Sequence, residues 1–311
     1  VIETPRRGID WTTVVLLTLP PLIWAGNAVI GRAARTVIPP FHLNFLRWTF
    51  AGLALFPFVV KDLKAAWPAV RAGLPAILLM SFCGVTCYNS FQYLALTTTT
   101  PINTSLIGSS GPVFSLLLGV AFFRQKLMAQ QVIGALISLA GVALVMLHGE
   151  LARLAGIDLE RGDLYMLLAT LLWAAYTWLV RVKRPELSMA MLLFVQIVFG
   201  LMWALPALLY ESATTTVTVT IDAKLCAIIA YISLMASLFG YFCWDRGVSR
   251  AGAELPMFFN NLTPLFAALI SAAVLKEVPH AYHAVGLLLI LAGIVLASRS
   301  RSGNRDVRSS A

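Results

Sequence analysis

Ten runs of mostly apolar residues, each about as long as a bilayer is thick, constrain this chain more than any other feature. They span roughly Trp11–Gly31, Leu43–Val60, Gly73–Leu96, Asn103–Phe123 and Ala129–Leu147, then Asp163–Val180, Met189–Tyr210, Lys224–Val248, Ala253–Leu275 and Tyr282–Ser298. A membrane-spanning helix needs about 20 such residues. Most runs are apolar on every face, and no ten-residue alternation of period two recurs, which excludes a transmembrane β-barrel. The first run is too long for a signal-peptide core and has no small-residue cleavage site after it, so it is expected to be retained. Only 12% of the 311 residues are charged, about half the usual share of a soluble domain. That excludes a disordered chain, a coiled coil and an ordinary cytosolic enzyme.

The net charge of +9 is an orientation signal. With the N-terminus in the cytoplasm, sixteen of the 23 basic residues fall in inner segments and six in outer ones, leaving Arg47 inside the second run. Both termini are therefore expected inside. No basic tract exceeds a few residues, so no nucleic-acid partner is expected. Cys83, Cys87, Cys226 and Cys243 all fall within runs and read as small core-filling thiols. No metal, cofactor or catalytic residue is called for. A monomer would suffice, and the oligomeric state is left open.

The chain repeats itself. Pro112–Met146 aligns without a gap to Pro264–Ser298, 152 residues later, with 11 of 35 positions identical, including Pro112 with Pro264, Gly134 with Gly286 and Gly141 with Gly293. At an offset of 149, Trp24-Ala25 falls on Trp173-Ala174 and Arg32 on Arg181. Five helices per copy is an odd number, so the second copy must enter the membrane the opposite way up. The expected fold is all-α: ten transmembrane helices as two inverted-topology five-helix repeats. Its expected parts are a cytoplasmic tail (1–10), a first repeat (11–148), a periplasmic connector (149–161), a second repeat (162–298) and a basic cytoplasmic tail (299–311). Inverted repeats are typical of secondary transporters, whose substrate site lies near the midplane where the copies meet. The Gly134/Gly141 and Gly286/Gly293 spacings make small faces for close helix packing. The Thr- and Val-rich stretch Ser212–Ile221 reads as a short extended loop.

The same residues carry a resemblance. Trp24-Ala25-Gly26-Asn27, its counterpart Leu172-Trp173-Ala174-Ala175-Tyr176, Tyr93-Leu94-Ala95-Leu96, and the prolines of helices 4 and 9 resemble the EamA-type branch of the drug/metabolite transporter superfamily. A glutamate usually follows helices 4 and 9 in that family. Lys276-Glu277 keeps it, and Arg124-Gln125-Lys126 does not. Within the family the chain is most similar to bacterial exporters of amino acids, including aromatic ones. The resemblance implies outward transport across a bacterial inner membrane by alternating access.

Polar groups within a bilayer usually face a cavity or a partner helix. Trp24 and Asn27 share a face of helix 1, as do Tyr88, Asn89 and Gln92 on helix 3. Thr104, Gly108 and Ser109 do so on helix 4, Trp173 and Tyr176 on helix 6, and Met257, Asn260 and Asn261 on helix 9. The resemblance implies that these helices line the central cavity, so Trp24, Asn27, Tyr88, Asn89, Gln92, Ser109, Trp173, Tyr176, Met257, Asn260 and Asn261 are the expected substrate-binding residues. Pro20, Pro21, Pro112 and Pro264 are the expected kinks. Tyr93 and Trp244, near helix ends, read as interfacial or packing residues. Asp245 and Glu254 are the acids expected nearest the membrane, beside Arg246 and Arg250 as ion-pair partners. Arg47, about one turn into helix 2, could snorkel, pair with a helix C-terminus or touch substrate. The expected cavity is neutral, aromatic and amide-lined, which suits a zwitterion and not a phosphorylated solute.

Two alternatives remain. Gly108-Ser109-Ser110-Gly111 and His283-Ala284-Val285-Gly286 match the nucleophile and base motifs of rhomboid-like intramembrane serine proteases, with Ser110 and His283 as the dyad if their helices touch. A nucleotide-sugar or other metabolite carrier of the same superfamily is the second.

Overall fold

The computed structural model describes residues 10–123, 129–150, 160–183, 185–217, 219–251, 259 and 262–299, and every regular element among them is helical. In chain order they are α1 (Trp11–Ala34), α2 (Pro40–Val59), α3 (Leu63–Ala72), α4 (Leu74–Met80, Ser81–Tyr88 and Asn89–Thr98), α5 (Pro101–Gly108), α6 (Gly111–Phe123) and α7 (Ala129–Met146). The second half holds α8 (Arg161–Lys183), α9 (Met189–Thr214), α10 (Ala223–Ala230, Tyr231–Phe239 and Gly240–Ala251), α11 (Thr263–Val274) and α12 (Ala281–Arg299).

Helix starts follow local chemistry. Asp10 caps α1 by accepting from the Thr13 N–H at 2.9 Å, and Asp222 caps α10 by accepting from Leu225 at 2.7 Å. Such caps satisfy donors that have no partner within the helix. α2 starts at Pro40, where the missing N–H is no loss. Pro20 and Pro21 lie inside an unbroken α1.

Seven helices are long and apolar enough to cross a membrane, and three shorter apolar ones, Val132–Val145, Thr263–Val274 and Ala281–Gly293, lie in the remaining runs. The bundle's exterior is apolar: Leu53, Phe122, Leu136, Met202, Leu269 and Leu288 each expose more than half of their surface. A water-soluble domain does not tolerate so much contiguous apolar surface, whereas lipid does.

Four features depart from the sequence reading. The fourth run is broken: α5 ends at Gly108, and α6 restarts at Gly111 with Pro112 as its second residue. α11 likewise begins at Thr263–Pro264. These two prolines therefore start helical segments where their lack of an N–H does no harm. The short α3 was not anticipated. Ser212 to Thr214 stay helical at the end of α9, so only the residues after Thr214 leave the helix.

Two features repeat between halves. Ser81–Tyr88 in α4 and Tyr231–Phe239 in α10 are both π-helical, at equivalent places about 150 residues apart. π turns widen a helix locally and recur at functional positions. Helices α7 and α12 pack face to face through glycines. A Cβ on Gly141 would lie 2.7 Å from the Gly286 carbonyl oxygen, and one on Gly293 would lie 2.3 Å from that of Gly134. The register descends on one helix as it ascends on the other, so α7 and α12 run antiparallel.

Helix ends sort to two poles. At one pole the Arg32 Nη1 donates to the carbonyls of Leu96 (2.9 Å) and Thr97 (3.0 Å), its Nε lies 3.5 Å from Glu277 Oε1, and Glu211 accepts from the His42 backbone N–H at 2.9 Å. At the other, Asp10 meets Arg250 at 3.4 Å. Gly73 is also packed against the Pro185 ring.

Candidate functional site

Half-buried aromatic rings from both halves converge inside the bundle. Tyr88 of α4 lies 4.7 Å from Trp173 of α8, centroid to centroid. Trp173 stacks on Tyr176 at 5.0 Å and meets the edge of Tyr241 from α10 at 6.4 Å. Tyr241 in turn contacts Trp24 of α1 at 6.1 Å and Trp48 of α2 at 6.4 Å. Trp244 tilts against Trp24 at 5.5 Å, so it packs into this cluster. The Trp24 indole N–H donates to the Ala236 carbonyl at 3.2 Å, within the π-helical stretch of α10.

Beside the rings runs a network of amides. The Tyr93 hydroxyl donates to Asn27 Oδ1 at 2.9 Å, and Asn27 Nδ2 points at Gln92 Oε1 at a loose 3.5 Å. Asn89 Nδ2 donates to the Gly84 carbonyl at 2.9 Å. Tyr93, only 2% exposed, is thus packed inside the bundle as a member of this network. The expectation for Arg47 also needs correction. It lies two turns into α2, is 2% exposed, and neither snorkels nor meets a helix C-terminus. Its Nε donates to Ser237 Oγ (2.6 Å), and its Nη1 to Asn89 Oδ1 (2.7 Å) and Tyr93 OH (3.0 Å). The region read as neutral therefore contains one cation. Buried polar side chains are stable only when paired in this way.

Seven expected site residues, Trp24, Asn27, Tyr88, Asn89, Gln92, Trp173 and Tyr176, are thus gathered by the fold. Ser109 stands apart. It is buried at the break after α5, and its hydroxyl donates to the Ser105 carbonyl at 3.0 Å. Met257, Asn260 and Asn261 lie outside the described residues. Tyr241 and Ser237 were missed, whereas Tyr93 was read as an interfacial or packing residue and substrate contact was one of the three readings of Arg47. α10 is the repeat mate of α4, and the spacing of Ser237, Tyr241 and Trp244 on one face was the signal available for it.

The protease alternative fails on geometry. The Ser110 hydroxyl is fully buried and donates to the Ile107 carbonyl at 2.6 Å. His283 Nδ1 accepts from the His280 N–H at 2.8 Å, which leaves the proton on Nε2 to face Asn103 Oδ1 at 3.0 Å. Neither group is free for the other. The imidazole instead heads a buried chain: Asn103 Nδ2 donates to Thr99 Oγ1 (3.2 Å), and that hydroxyl donates to Asp163 Oδ1 (2.5 Å). Asp163 is wholly buried, and among the described residues it is the acid drawn most deeply into the bundle. Arg250 pairs with Asp10. The Asp245 side chain and Glu254 lie outside the described residues. Glu277, in the turn before α12, has its carboxyl pushed up by burial, with the Arg35 charge pulling it back. Among the described residues no three His, Cys, Asp or Glu side chains are arranged to hold a metal ion.

An all-helical bundle with a lipid-compatible exterior, and with polar and aromatic side chains from both halves meeting inside, defines a multi-pass membrane transporter and not an enzyme. The chain belongs to the EamA-like transporter family, whose pattern matches it twice, over residues 11–147 and 160–299. It is 28% identical to an uncharacterized transporter of Archaeoglobus fulgidus, over 92% of this chain and 97% of that one. It is 25% identical to a probable terminal-alkyne amino-acid exporter of Streptantibioticus cattleyicolor, over 93% and 97%. It is 24% identical to a probable amino-acid metabolite efflux pump of Salmonella typhimurium, over 90% and 93%.

Proposed function

We propose that this transporter is a ten-spanning carrier of a bacterial inner membrane, built as two inverted five-helix repeats with both termini in the cytoplasm. It exports amino acids, aromatic or otherwise neutral, or closely related metabolites. The contact that carries the reading is Tyr88 on Trp173 at 4.7 Å, because it joins the two halves at rings left half-buried. Substrate lies between Trp24, Tyr88, Trp173 and Tyr176, with the amides of Asn27, Asn89 and Gln92 at its polar end. The antiparallel glycine contacts of α7 and α12 support the inversion, since repeat mates that run antiparallel are related by an axis in the membrane plane. The same pseudo-symmetry lets the halves exchange conformations, which is alternating access. The names of the two amino-acid-exporting relatives support the substrate class.

The test is flux in proteoliposomes, using labelled amino acids, nucleosides and nucleotide sugars. Saturable amino-acid flux is the expected result. Flux of a nucleotide sugar with none of any amino acid would replace this substrate class with the superfamily alternative.

A further inference from the structure

Arg47 is a buried cation with neutral neighbours. Its partners are a serine, an asparagine and a tyrosine, and its guanidinium carbon sits 5.0 Å above the Trp48 ring. Among the described residues no carboxylate lies within ion-pair distance of it. A guanidinium has five N–H donors in a rigid fork. Nε and Nη1 use three of them, and the two on Nη2 have no protein partner among the described residues. Arg47 is only 2% exposed, so those two donors are held away from bulk water. Removing a charge from water without an opposite charge is costly, and nature retains such groups in membrane helices mainly for ligands.

The surroundings fit a ligand with a carboxylate at one end. Asn89 ties Arg47 to the helix that carries Tyr88 and Gln92. Ser237 lies one turn before Tyr241, which contacts Trp24 and Trp173. The loose Asn27–Gln92 contact at 3.5 Å leaves those amides able to turn toward a second polar group. We infer that Arg47 is the anionic anchor of the transport site, binding a substrate carboxylate through Nη2, while the rest of the substrate lies against the aromatic cluster. This rests on the carrier reading above, and it narrows the substrates to solutes bearing a free carboxylate. Decarboxylated amines and carboxamides are excluded.

The test compares acid and amide pairs on the purified full chain in detergent: benzoate with benzamide, and phenylalanine with phenylalaninamide. Binding is read by intrinsic tryptophan fluorescence and by the shift in thermal unfolding. Wild type should bind each acid about 100-fold more tightly than its amide, as for a desolvated, hydrogen-bonded charge pair. Arg47→Gln should bring acid binding down to the level of the amide and so abolish that ratio. Arg47→Lys, which keeps the charge and loses the fork, should retain part of it and guards against a folding defect in the first variant. Equal binding of acid and amide by wild type overturns the inference, as does an unchanged ratio in Arg47→Gln. Benzoate selectivity without phenylalanine binding would keep the anchor and remove the amino-acid reading.

Discussion

The carbonyl oxygen of Gly286 occupies the space where a side chain on Gly141 would begin, 2.7 Å from that Cβ position. Gly141 on α7 corresponds in the repeat to Gly293 on α12, and Gly286 corresponds to Gly134. Each glycine therefore faces the mate of the other glycine of its own helix. Two backbones can approach this closely only where no Cβ intervenes.

Gly141→Val should consequently destabilise the protein by about 1–3 kcal/mol, the range for overpacking a close interface. Gly111→Ala is the control, because its new Cβ would meet nothing nearer than 3.7 Å. Thermal unfolding in detergent should show a lowered midpoint for the first and an almost unchanged one for the second.

Trp173 touches Tyr88, Tyr176 and Tyr241. If substrate replaces part of that contact, Trp173→Ala should weaken apparent affinity by about tenfold, since an aromatic pair contributes about 0.5–1.5 kcal/mol beyond area burial. Unchanged concentration dependence of flux in the variant would remove Trp173 from the site.

Asn103 stands between His283 and Thr99. Asn103→Ala should cost about 1–3 kcal/mol by stranding the His283 Nε2–H away from water. Ser110→Ala should cost about 1 kcal/mol or less, because its hydroxyl bonds only to a carbonyl three residues back. Flux that survives in Ser110→Ala with no loss of rate would also fit a carrier without a serine nucleophile.

Glu277 predicts a pH dependence. Burial raises its pKa above the ordinary 4.5 despite the opposing charge of Arg35. The folded protein then holds the proton to higher pH than the unfolded chain does. Stability from this group is present below pH 4.5 and declines as pH rises through its elevated folded value. Glu277→Gln should flatten that part of the profile of unfolding midpoint against pH. An identical slope in wild type and variant would exclude Glu277 as its source.

Much of the fold was legible because a bilayer imposes a simple rule on each segment alone. Nine of the ten runs coincide with described helices to within a few residues, and the ninth coincides over its later part, Thr263–Val274. Trp24 and Trp173 could be paired from the repeat before any distance was known. The break at Ser109–Ser110 was not legible, because Pro112 was read as kinking a continuous helix when it starts a new one. Tyr241 was missed because an aromatic residue within an apolar helix has the same local pattern whether it faces lipid or a neighbouring helix.

Segment length, apolarity and internal repetition are properties of contiguous residues, so the sequence by itself determined that this chain is a helical membrane protein made of two related halves. The surroundings of Arg47 and His283 were decided only by tertiary structure. Arg47 finds Ser237 190 positions away, and His283 finds Asn103 180 positions away. Which face of one helix meets which face of another depends on packing across the whole bundle. That packing is what turned a lone arginine into a buried, unbalanced charge and a would-be catalytic histidine into a hydrogen-bonded strut.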